Sequence, residues 1–93
     1  MKLSNIFTFL KENRILIEVK TALLQVIEKE REDLKPKLEV FIKDKTPIIK
    51  KVFIDYLLTK VSLPFYLKPF KPIVRKVLDK NIDKLADFLT KNL

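Results

Sequence analysis

A chain of 93 residues that contains five prolines and no glycine has few ways to turn. Two-residue β-hairpin turns need residues that accept positive φ, most often glycine, and strict apolar–polar alternation is scarce along this sequence. Strands are therefore disfavoured. Apolar residues recur at spacings of three and four instead, and proline, which lacks an N–H, can open a helix without losing a hydrogen bond. The expected fold class is all-α, a small proline-punctuated bundle of four or five short helices forming a single domain over residues 1–93.

Ser4 is placed to cap the first helical stretch. Beyond it, apolar positions recur at Ile6, Phe9 or Leu10, Leu16 or Ile17, Leu23 or Leu24, and Ile27, while Lys11, Arg14, Glu18, Thr21, Gln25, Glu28 and Glu32 follow one another on the opposite face. That pattern is an amphipathic helix with one face for a core. Unbroken over 4–34 it would be ~45 Å long, too long for a compact domain of this size. We expect a break at Asn13, giving helices over about 4–12 and 14–33, with EKERED at 28–33 as a solvated last turn.

The prolines set the remaining boundaries. Pro36, Pro47 and Pro72 stand where first helical turns begin, and Thr46 is a good cap for the second of them. This predicts helices over about 36–45, 47–62 and 72–92, the last with a face at Val74, Leu78, Ile82, Leu85 and Leu89. PIIKKVF at 47–53 matches PIVRKVL at 72–78 in its proline, its branched residues and its basic pair, as two helix openings would. The helix at 47–62 is apolar on more than one face, which suits a central bundle helix or one shared with another surface.

Catalytic chemistry finds little here. There is no histidine or cysteine, and the only serines are Ser4 and Ser62, so triads and dyads built on those residues are excluded. Glu28, Glu30, Glu32 and Asp33 alternate with Lys29 and Arg31 and read as a solvated helix end rather than a cation site. We expect no enzyme, no cofactor, no metal and no small-molecule substrate.

Charge is more informative. The chain carries a formal +8, yet residues 1–34 hold six basic and six acidic side chains, residues 81–93 two of each, and residues 35–80 twelve basic against four acidic. The whole excess sits in the middle segment. Its basic side chains, Lys35, Lys37, Lys43, Lys45, Lys50, Lys51, Lys60, Lys68, Lys71, Arg75, Lys76 and Lys80, are the candidate contacts for an anionic surface.

The same segment contains LPFYLKPFK at 63–71, a stiff connector whose Phe65, Tyr66 and Phe70 either close the bundle end or form an apolar anchor, with Lys68 and Lys71 at headgroup level. Aromatics beside lysines favour a membrane. The function expected is thus non-catalytic: peripheral engagement of an anionic, partly apolar surface, above all a membrane, through residues 35–80. Non-specific nucleic-acid binding is the second reading, because Arg75 is the only arginine in the segment and base-specific contacts favour arginine. A helical adaptor or homo-oligomer is the third, with a homodimer expected through the first long helix if it continues past Asn13.

No apolar run reaches the ~20 residues that span a bilayer, and IFTFL at 6–10 is too short for a secretory signal core. We expect a soluble cytoplasmic protein, peripheral to the membrane at most.

Overall fold

The structure is a computed structural model that describes residues 11–93; the expected cap at Ser4 and the greater part of the helix expected over 4–12 lie outside the described residues. Four α-helices and one short 3₁₀ turn make up the described residues, with no strand among them: α1 (Glu12–Lys43), α2 (Pro47–Lys60), the 3₁₀ turn (Lys68–Phe70), α3 (Lys71–Lys80) and α4 (Ile82–Asn92). The protein is a small all-α bundle. α1 packs against α2, α3 and α4, α2 against α3, and α3 against α4, and the buried apolar side chains form one cluster.

α1 corrects two expected boundaries. Asn13 lies inside its first turn and is exposed, so a helical asparagine there costs only its weak propensity. The break falls at Glu30, whose φ of −126° and ψ of 25° are not helical, and Pro36 sits inside the continuing helix instead of starting a new one. Straight, 32 residues would span ~48 Å, whereas the longest dimension of the molecule is 44 Å. Bending within the charged run lets the loosened backbone meet water, and it turns the stripe of Ile15, Val19, Leu23 and Ile27 into that of Leu34, Leu38 and Phe41.

At the other end of α1 the sequence reading holds. Asp44 accepts a hydrogen bond from the Thr46 amide at 3.2 Å, and Thr46 Oγ1 accepts one from the Ile49 amide at 3.4 Å, so α2 opens on a side-chain cap with Pro47 in its first turn. α2 then runs back along the far half of α1. Phe41 stacks on Phe53 with ring centroids 4.9 Å apart, and farther along Asp33 meets Tyr56.

The helix expected over 72–92 is divided at Asn81 into α3 and α4. The Asn81 side chain is buried and donates to the Val77 carbonyl at 2.9 Å and to Glu12 at 3.3 Å. An asparagine bonding back to residue i−4 competes with the backbone and bends a helix. Here the bend also ties the α3–α4 junction to the start of α1.

Two leucines, not the aromatics, anchor the connector after α2: Leu63 and Leu67 enter the core, and the Pro64 carbonyl accepts from the Leu67 amide at 2.9 Å to close the turn. This assigns the stability of the connector to one side of it. Leu67→Ala should cost about 2–5 kcal/mol of unfolding free energy, as full burial implies, whereas Phe65→Ala should change it by less than about 0.5 kcal/mol. Urea titrations of the two variants measure the difference directly.

Candidate binding surface

Burial separates the three aromatics that the sequence grouped together. Phe65 is 83% exposed, while Tyr66 and Phe70 are half-buried. Phe65 stands edge-on to Tyr66 with centroids 5.7 Å apart, and the Tyr66 hydroxyl donates to Glu18 at 2.7 Å. One aromatic therefore faces outward and its neighbour is held to α1.

The twelve basic side chains divide as well. Six are in ion pairs: Lys37 with Asp33 at 3.5 Å, Lys45 with Asp83 at 3.1 Å, Lys50 with Asp79 at 3.2 Å, Lys60 with Glu30 at 3.6 Å, Lys80 with Glu12 at 3.4 Å, and Arg75 with Asp55. Lys35, Lys43, Lys51, Lys68, Lys71 and Lys76 are exposed and make no ion pair among the described residues. Four of the paired lysines reach acids outside residues 35–80, so the fold cancels part of the charge that the sequence segregates.

The two matching segments show how that division works. Lys50 and Arg75 hold equivalent places after Pro47 and Pro72, and each pairs with an aspartate of the other helix. Residue 50 meeting 79 while 55 meets 75 fixes α2 and α3 as antiparallel. The next basic residue in each segment, Lys51 and Lys76, is left to solvent. In KK and RK the first cation bridges the helices and the second makes no ion pair among the described residues.

A part of the surface escaped the sequence reading. Ile48 is 75% exposed, Val52 58% and Val40 51%, so of the two readings of α2, a central helix or one with a face left for another surface, the exposure favours the second. Between α1 and α2 lies an open groove of about 340 Å³, walled by Pro36, Val40, Ile49, Val52 and Tyr56 and floored by Phe53, with Lys37 as its one charged lining residue. The signal was present in the apolar breadth of PIIKKVF; α2 buries Phe53, Ile54 and Leu57, and its other apolar side has no neighbour among the described residues.

The rim of the groove is a polar network. The Tyr56 hydroxyl donates to Asp33 at 2.8 Å, and the ammonium groups of Lys37 and Lys60 lie 5.0 Å and 5.9 Å from the centre of its ring. That hydrogen bond, reinforced by the charge of Lys37, holds the Asp33 carboxyl below its ordinary 3.8. Burial raises the Tyr56 phenol well above its ordinary 10.0, and the hydrogen bond to Asp33 adds to the shift. Tyr66 is raised too, first by its hydrogen bond to Glu18 and then by burial.

Among the described residues, no three His, Cys, Asp or Glu side chains form a group that could hold a metal ion, and no helix is long and apolar enough to cross a membrane. No protein-family model, curated protein or solved structure matches the chain.

The raised phenols carry a pH signature. A group that binds its proton more tightly when folded lends stability that is complete below its unfolded pKa and is lost as pH rises towards the folded value. Stability should therefore fall once pH passes about 10, the ordinary phenol value. Ultraviolet titration of the folded protein should show both tyrosines ionising above that point. In Tyr56→Phe the most shifted transition should disappear, and a normal titration of both phenols in the wild type would contradict these contacts.

Proposed function

We propose that the protein is a peripheral binder of anionic membrane surfaces, acting through residues 35–80. One observation supports the reading most. Of the seven large apolar side chains that stand exposed among the described residues, five (Val40, Ile42, Ile48, Val52 and Phe65) lie in the segment that also holds the six lysines without ion pairs. Lysines attract anionic headgroups, and apolar side chains beside them enter the acyl boundary. Each ingredient alone would be ordinary surface; their coincidence favours a lipid surface over a bare polyanion.

The structure narrows the residues that would do this. Phe65 and the outward ridge of Ile48 and Val52 are the insertion candidates, since Tyr66 and Phe70 are partly committed to packing. Lys35, Lys43, Lys51, Lys68, Lys71 and Lys76 are the headgroup candidates in the same segment, because among the described residues no aspartate or glutamate pairs with them. Arg75 and Lys50 belong to the bundle, being bridged between α2 and α3.

Co-sedimentation with anionic vesicles at rising salt tests the proposal. Exposed charges are screened over ~8 Å at physiological ionic strength, so salt should weaken wild-type binding without abolishing it. Ile48→Ser with Phe65→Ser should remove the salt-resistant part while leaving the helical circular dichroism unchanged. Lys68→Gln and Lys71→Gln should each lower low-salt affinity by roughly fivefold, as ~1 kcal/mol per surface lysine implies. Lys84→Gln, the same loss of charge outside the segment, should have a smaller effect. Salt-sensitive binding to duplex DNA without vesicle binding would reject the membrane reading and favour nucleic acid.

A further inference from the structure

The outward side of α2 is uncovered among the described residues and apolar, with Ile48, Val52 and Val40 exposed near the groove over Phe53. Its counterpart in the second matching segment is covered. Val74 and Val77 of α3 are buried in the core and Ile73 packs against it, whereas of their equivalents in α2 only Ile49 packs against the core and Ile48 and Val52 project into water. A pattern that serves as core in one helix is left without a partner in the other.

We propose that the chain forms a two-fold dimer through this ridge, with α2 antiparallel to the partner's α2 and Val52 facing the partner's Val52. Charge supports this occupant and this orientation. A two-fold axis between antiparallel helices brings the same edge of each copy together. Along that edge α2 carries Lys51, which has no ion pair among the described residues, and one turn later Asp55, already held by Arg75. Each Lys51 would thus meet the partner's Asp55, extending an existing ion pair across the interface. A parallel two-fold arrangement would bring opposite edges together and leave Lys51 and the partner's Asp55 on opposite sides of the seam.

The first helix, expected from sequence to carry a dimer, is less suited to it. Ile15, Val19, Leu23 and Ile27 are spent inside the bundle, and over the stretch 12–34 the exposed large apolar side chains are Ile17 and Leu24 alone. The α2 dimer concerns what covers the ridge in water and does not rest on membrane binding. Where both occur, bilayer and partner compete for Ile48 and Val52.

Because the chain has no cysteine, a single introduced thiol reports one site. A disulfide needs Cα atoms about 4.4–6.8 Å apart, so Val52→Cys should form a covalent dimer under mild oxidation in lipid-free buffer, and Ile17→Cys should not. Adding Ile48→Asp to Val52→Cys should abolish the cross-link. Ile48→Asp alone should sediment as a monomer with wild-type circular dichroism, while the wild type sediments as a dimer that dissociates on dilution. A wild type that stays monomeric at its highest attainable concentration, or equal cross-linking through Ile17→Cys, overturns the proposal. Running the experiment without lipid keeps its failure separate from that of the membrane reading.

Discussion

The apolar stripe of α1 is the surface on which every other helix depends. α2, α3 and α4 have 14, 10 and 11 residues, and isolated helices shorter than ~12–15 residues are marginal in water. They persist because α1 gives them a wall. Its near half holds the connector through Glu18 and Tyr66 and the α3–α4 junction through Glu12 and Asn81, and its far half holds α2 through Phe41 and Phe53. The bend at Glu30 is what allows one helix to serve both sets of neighbours.

Once α1 has fixed the order of the helices, electrostatics decides which cations remain available. Exposed ion pairs contribute only ~0–1 kcal/mol each, so the pairs that cross between helices are weak supports. Their larger effect is on the surface: a lysine bridged to an aspartate has little charge left for a ligand. By this route a twelve-to-four excess in the sequence leaves six scattered lysines without an ion pair among the described residues, in the segment that also holds Ile48, Val52 and Phe65.

Local chemistry was legible in the sequence where it is decided locally. Thr46 and Pro47 open α2 as a cap and a first-turn proline should, and the absence of glycine foretold an all-α bundle. Choices made by packing were not legible. Pairs such as Leu16 and Ile17, or Leu23 and Leu24, offer two phases for one stripe, about 100° apart around a helix. The bundle buries Leu23 and leaves Ile17 and Leu24 outside. The break expected at Asn13 failed because that residue lies on the exposed side of α1. In LPFYLKPFK the aromatics drew attention by size, but the spacing of four from Leu63 to Leu67 governs which side enters the core. Ile48 and Val52 were visible as apolar residues, yet their exposure depends on which elements pack against α2, and among the described residues none covers that side.

Depth measured residue by residue at a lipid surface tests the central claim most directly, namely that the outward side of α2 and Phe65 form the binding face. Single spin labels at Ile48→Cys, Phe65→Cys, Ile17→Cys and Lys84→Cys can be compared on anionic vesicles by their collisions with oxygen, which partitions into lipid, and with a water-soluble nickel complex. Labels at 48 and 65 should favour oxygen, and those at 17 and 84 should favour nickel. Labels that stay in water at all four positions, or a label at 17 as deep as that at 48, would contradict the account.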